Sequence, residues 1–222
     1  MSISIIYACL MFIVVMIGIR YRDIKKNKRL YQKISTIAVI SKNNVIYLII
    51  SFLGIVGGML FLELVYTQNS VIQNIRCITV ISLLFVAAFY DYLEYRIPNK
   101  IIFLGLILWV GITFTEVIAY KDIWLKNFIS EIIVCIAFSI ICILCLIIVK
   151  NGLGMGDVKI LLLIGLLQGL DGAMSSIFTS IIVIFFACVF FLLTKKKQKN
   201  DVIPFAPYIL IGTFISICVS GY

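Results

Sequence analysis

Gly152-Leu153-Gly154-Met155-Gly156-Asp157-Val158-Lys159 lies between two long apolar runs and sets a carboxylate where the second run begins. Glycines at alternate positions let backbone segments approach closely. The apolar run before this stretch, Ile129 to Val149, is almost unbroken. A bilayer-crossing helix needs about 20 such residues. The whole chain has that character: of 222 residues, 63% are hydrophobic and 13% charged, with a mean hydropathy of +1.18. Backbone polar groups in lipid must be satisfied within a helix or a closed barrel. Barrel strands alternate apolar and polar residues, whereas these runs are continuously apolar. The expected fold is therefore an all-α polytopic membrane protein. An ionisable residue at the edge of a span is a functional-site candidate in such a chain, which singles out Asp157.

Working outward, the hydropathy pattern predicts about eight transmembrane helices in one integral membrane domain, 1–222. They run from about Ser2 to Ile19, Val45 to Tyr66, Cys77 to Tyr90, Ile101 to Ala119, Ile129 to Val149, Val158 to Leu170, Ala173 to Thr194, and from Pro204-Phe205-Ala206-Pro207-Tyr208 to near the end. The first run is apolar from the outset and reads as a retained span. At ~1.5 Å per residue the sixth run covers only roughly 20 Å, so either it extends past Asp171 or the glycine loop dips into the membrane. The second option is preferred here, because non-helical backbone is tolerated where it lines a protein-enclosed wet cavity. All Lys and Arg except Arg76, Lys121 and Lys126 fall in or beside the loops after spans one, three, five and seven. The positive-inside rule then places those loops in the cytoplasm and both termini outside. Asp91 and Asp157 consequently fall at the cytoplasmic ends of their spans.

Several chemistries are excluded or disfavoured. The sequence contains no histidine, which removes Ser-His-Asp and Cys-His catalysis and HExxH metal sites. Cys142-Ile143-Leu144-Cys145 is formally a CxxC, but it lies inside an apolar run and reads as buried structural cysteine. The net charge of +9 is mostly confined to loops. Membrane orientation and anionic headgroups account for it better than nucleic acid does. No metal and no cofactor are expected, and oligomeric state is not legible.

What remains is carboxylate chemistry. Two carboxylates held close together cannot easily both ionise, and the pair titrates as a unit. One can activate a water for attack on a peptide carbonyl while the other hydrogen-bonds that carbonyl and supplies a proton for the leaving amine. Each residue also has a plain structural reading. Asp157 suits a helix N-cap, Asp91 an interfacial position, Ile97-Pro98-Asn99 a turn between spans, and Pro204 and Pro207 helix starts. Glu94 reads as an exposed loop carboxylate, and Tyr92 and Tyr95 as interfacial aromatics. Glu63, Glu116 and Glu131 lie in apolar runs towards the outer side.

Taken jointly, Asp91-x5-Ile97-Pro98-Asn99, Gly154-Met155-Gly156-Asp157-Val158-Lys159 and Pro204-Phe205-Ala206-Pro207-Tyr208 resemble the motifs of the type IV prepilin leader peptidase family: an Asp before an IPN-like turn, a GxGDxK loop, and a PFGPF-like segment. The resemblance covers about 83–212. It implies a GxGD-type aspartic endopeptidase that removes the short basic leader from prepilin or pseudopilin precursors at the cytoplasmic face. By motif match Asp91 and Asp157 form the catalytic pair. Gly154, Gly156, Lys159, Pro98, Asn99, Pro204 and Pro207 are motif or substrate-binding residues. On family grounds the membrane is a bacterial inner membrane. The chain departs from the family pattern at Ala206, where Gly is frequent. It departs again in the basic segment 20–44, read as a cytoplasmic loop, which lacks the paired CxxC motifs of many members. Many members also N-methylate the new N-terminus, and no residue set for that is identified. The alternatives are another GxGD-type intramembrane protease, or a transporter using the carboxylates as a relay; relay carboxylates usually sit nearer mid-membrane.

Overall fold

The computed structural model describes residues 2–30, 42–119, 124–148, 154–194 and 203–221. These form seven helices: α1 (Ser2–Leu30), α2 (Lys42–Val65), α3 (Val71–Glu94), α4 (Asn99–Ala119), α5 (Trp124–Ile148), α6 (Met155–Leu193) and α7 (Ala206–Ser220). Among the described residues there is no strand, and six helices are long and apolar enough to cross a membrane, α7 being shorter. The chain is an all-α, multi-pass membrane protein.

Burial, not hydrophobicity, distinguishes the faces of these helices. On α1 the positions Ser4, Ala8, Met11, Val15 and Ile19 are buried, while Ile6, Leu10, Ile13 and Ile17 are exposed. Both stripes follow the helical repeat, one against protein and one available to lipid. α3 differs: every residue from Arg76 to Asp91 is buried. It is the central helix, with α1, α2, α7, α6 and α4 packed around it in that order, and α5 outside on α4 and α6. Ser70 caps its start by accepting from the Gln73 N–H at 3.2 Å, and Tyr95 ends it in the left-handed region at φ 51°.

The sixth and seventh apolar runs are two limbs of α6, broken at Gly169, whose φ of 67° and ψ of −164° are not helical. Glycine reaches that conformation without a Cβ penalty. The chain reverses there. Ser176 donates to the Gln168 side chain at 2.8 Å across the break. Beyond it Ser175, Thr179 and Ser180 meet successively earlier positions of α7, namely Ser216, the Gly212 carbonyl and the Ile209 carbonyl. Small and hydroxyl residues of this kind let membrane helices approach closely and bond across the interface. The first limb closes at Gly169 and does not continue past Asp171. The preferred alternative, a dip of the glycine loop, involves residues 151–153 and lies outside the described residues. α1 also departs from the expected boundary, continuing as helix to Leu30 through the basic segment. Lys and Arg are good helix formers.

At the end of α3 remote from Asp91, Arg76 makes short charge-assisted contacts with Glu131 of α5 and Glu116 of α4. Glu131 also accepts from Trp109 Nε1 at 2.7 Å, and Glu116 from Asn127 at 2.6 Å. Arg76 reaches the Leu167 carbonyl at 3.4 Å, just before the α6 reversal. Buried charges persist when paired and hydrogen-bonded, and this cluster ties four helices together.

Candidate active site

Asp91 lies one turn before the end of α3 and is 6% exposed. Its Oδ2 accepts the Ala206 backbone N–H at 2.9 Å. That N–H is available because Ala206 opens α7, and the first N–H groups of a helix have no partner within it. Pro207 follows in the first turn, where its missing N–H is harmless. Pro204 and Ala206 are both buried. The carboxylate therefore faces the positive end of the α7 dipole. Ala206, at 0% exposure, contributes a backbone donor that no residue-type argument could have picked out; the proline after it is the local signal.

Asp157 is the third residue of α6, whose N-cap is Gly154, so it is not itself the cap. It accepts from the Gly154 backbone N–H and is close enough to Asp91 to feel its charge. A Cβ at Gly154 would stand 2.8 Å from Asp157 Oδ2, so glycine allows the carboxylate to fold back onto the loop. At Gly156 a Cβ would lie 3.2 Å from Ile97 Cβ, and glycine here lets α6 begin against the α3–α4 turn. Lys159 donates to Asn99 Oδ1 at 2.8 Å. Pro98 accepts from the Ile101 N–H at 3.1 Å and opens α4.

The structure thus brings all three motifs to one end of the bundle. Asp91 meets the Pro204–Pro207 segment through Ala206, and Asp157 lies within electrostatic range of Asp91. Gly156 and Lys159 join α6 to Ile97 and Asn99. Glu94 closes α3 and pairs with Arg22 of α1 at 3.0 Å, a partner the sequence reading did not assign. Tyr92 and Tyr95 are exposed. Among the described residues Glu116 and Glu131 stand at the opposite end with Arg76, away from the aspartates. Cys142 and Cys145 fall within α5, but their side chains lie outside the described residues.

The model of the type IV leader peptidase family matches residues 78–194, a stretch that holds both aspartates and the turn between α3 and α4. The chain belongs to the type IV leader peptidase family. As a member it is a peptidase, and membership implies precursor proteins as substrates. No curated protein and no solved structure matches the chain. Within this peptidase the matched stretch ends at the close of α6, so the Ala206 contact comes from a helix beyond it.

Proposed function

We propose that this peptidase is a prepilin leader peptidase in which Asp91 and Asp157 are the catalytic pair. On this reading a precursor enters with its basic leader in the cytoplasm and its apolar helix in the bilayer, and is cut at their junction. The observation that carries the proposal is the convergence at one end of the bundle: half-buried Asp157 close enough to Asp91 to feel its charge, and buried Asp91 engaged by the α7 N-terminus.

The chemistry follows from the pair. One carboxylate takes a proton from water as it attacks the scissile carbonyl carbon. The other, protonated, hydrogen-bonds the carbonyl oxygen. Collapse of the tetrahedral intermediate breaks the C–N bond, with a proton passing to the leaving amine. The division of roles belongs to the dyad as a unit. Contacts of Asp91 with Ala206 and of Asp157 with Gly154 fix both side chains before substrate arrives, which is what preorganised catalysis requires. Charge supports the orientation: Arg22, Arg96, Lys100 and Lys159 stand at the aspartate end, and the positive-inside rule favours a cytoplasmic position for it; the bacterial inner membrane follows from the family reading alone.

The test is co-expression with a prepilin bearing a basic leader and a Gly-Phe junction, followed by intact-mass and N-terminal analysis of the product. Wild-type cleaves, and Asp91→Asn and Asp157→Asn do not. The same spectrum reads any added methyl group. Retained cleavage in either Asn variant sinks the dyad; a folded, inserted wild type that leaves several prepilins intact sinks the substrate assignment.

A further inference from the structure

Among the described residues the ring of helices around α3 is open at one place. α1 and α4 each pack on α3 but meet one another only where Lys100 reaches Tyr21, and a cavity of about 1270 Å³ lies between them. A helix of ~10 Å diameter rising ~1.5 Å per residue occupies about 120 Å³ per residue. The cavity therefore holds roughly ten helical residues, near three turns. Its length agrees, since the stretch of α1 that lines it, Val14 to Arg22, rises about 12 Å. The opening has room for a short helical segment.

The lining changes character along that length. At depth it is apolar, with Val14 and Ile17 on α1, Leu83 and Val86 on α3, and Ile101 and Leu104 on α4. At the aspartate end it is polar. There Arg22 pairs with Glu94, Lys100 donates to the Tyr21 hydroxyl at 2.8 Å, and Arg96 also lines the cavity. The gradient matches a segment that is apolar in the bilayer and ends at its surface; the mouth itself is cationic, with Arg22, Arg96 and Lys100 against Glu94. The cavity shares a wall with the candidate site, although neither aspartate lines it. Ile97 and Asn99 form part of its wall, and the same residues meet Gly156 and Lys159 beside Asp157.

We infer that this groove seats the apolar helix of the precursor, entering sideways from the lipid between α1 and α4, with Ile97-Pro98-Asn99 as the sill over which the chain reaches the aspartates. The inference rests on the prepilin peptidase reading for the identity of the occupant. It makes Ile17 and Leu104 substrate-positioning residues, although neither touches the reacting atoms.

The experiment places p-benzoylphenylalanine at Ile17, at Leu104, and at Phe103, which is 67% exposed and does not line the cavity. Each is put in an Asp157→Asn background with the full-length precursor, irradiated in membranes and mapped by mass spectrometry. Adducts from positions 17 and 104 to the precursor's apolar helix, and none from 103, are expected. Adducts only to lipid, or only within the enzyme, overturn the groove as a helix seat. In parallel, Ile17→Trp and Leu104→Trp in the active enzyme raise KM for the precursor about tenfold with little change in kcat, while Phe103→Trp stays within twofold. Unchanged KM in both, with monodisperse folded protein, also overturns it. Adducts at 17 and 104 without cleavage by wild type retain the groove and remove the prepilin-cleavage reading. Cleavage without adducts does the reverse.

Discussion

Gly212 offers the sharpest way to connect packing with chemistry. It lies where α7 crosses the second limb of α6, and a Cβ built on it would stand 2.3 Å from Ser180 Cα and 2.5 Å from Ser180 N. Those are backbone atoms, so no rotamer change relieves the clash. Ordinary contact begins at 3.4 Å, and Gly212→Ala must separate the two helices by about 1 Å there. Overpacking of this sort costs about 1–3 kcal/mol. The separation also strains the seam formed by Thr179 on the Gly212 carbonyl, Ser180 on the Ile209 carbonyl and Ser216 on Ser175. Interhelical bonds in membranes are worth about 0.6 kcal/mol each, so with the three bonds lost the expected total is about 3–5 kcal/mol. At ~2–4 °C per kcal/mol for a chain of this size, the melting temperature in detergent falls by roughly 6–20 °C.

The effect extends to the site because α7 begins with Ala206. If α7 takes up the 1 Å, the Ala206–Asp91 bond passes from 2.9 Å beyond the ~3.2 Å limit of a good N–H···O bond. Misplacement on that scale costs up to about 10²-fold in rate. Cleavage of a precursor by Gly212→Ala, measured well below its melting temperature, is expected to fall at least tenfold. Gly111→Ala is the matched control. A Cβ there meets nothing within 4 Å, and removing a helix-interior glycine favours the fold by about 0.5–1 kcal/mol. A wild-type melting temperature for Gly212→Ala would refute the packing argument. A lowered melting temperature with wild-type activity would show that the α6 limb gives way instead, and would disconnect the seam from Asp91.

The remaining expectations are shorter. Asp91→Asn and Asp157→Asn each lower cleavage by about 10²–10⁴-fold, and the double variant is no slower than the worse single one; additive losses in a timed cleavage assay would separate the two residues into independent roles. The pH–rate profile is bell-shaped, because a doubly protonated pair lacks a base and a doubly ionised pair lacks an acid; a rate that rises monotonically with pH contradicts a shared-proton dyad. Arg76→Met leaves Glu116 and Glu131 buried without their cation, and costs about 3–5 kcal/mol, read as detergent melting temperature; adding Glu116→Gln and Glu131→Gln recovers most of it, and no recovery refutes the charge argument. Asn99→Ala and Lys159→Ala each cost less than about 1.5 kcal/mol and couple with one another; strict additivity in a double-mutant cycle contradicts the observed bond.

Helix formation is legible because lipid makes run length a physical constraint, and the placing of both aspartates towards one end of the bundle is legible because loop charge orders the helix ends. The identity of the central helix is not. α3 carries Asn74 and Arg76, which read as part of the loop before the span, and Thr79 and Ser82, polar residues within it; all four are buried, because this helix is solvated by protein and not by lipid. Hydropathy measures transfer into lipid, so it ranks such a helix low for the very reason that it belongs at the centre. Arg76 was assigned to an outer loop and Glu116 and Glu131 to separate apolar runs, and only tertiary packing joins them. The reversal at Gly169 showed in the sequence as a run too short to span, without its cause. The Ala206 contact was hidden because the donor is backbone.

These features combine into one constraint on the distance between the aspartates. α3 carries Arg76 near one end and Asp91 near the other, about 22 Å apart at ~1.5 Å per residue. The first limb of α6 is held against both ends. Gly156 and Lys159 meet Ile97 and Asn99 where it begins, and Arg76 reaches the Leu167 carbonyl where it ends. Just past the break, Ser130 accepts the Leu170 N–H at 3.2 Å, so the limb can neither slide nor lengthen without breaking a bond at one end. Asp157 is thereby set relative to Asp91 by contacts at both ends of the bundle, the farther of which lie among Arg76, Glu116 and Glu131. On this argument the buried ion cluster is a positioning device as well as a stabilising one. Arg76→Met is then expected to lower kcat at temperatures where the variant is still folded, and the triple variant that restores stability without restoring the Leu167 contact is expected to leave kcat low. A triple variant with full stability and full kcat would confine the cluster to holding the helices together.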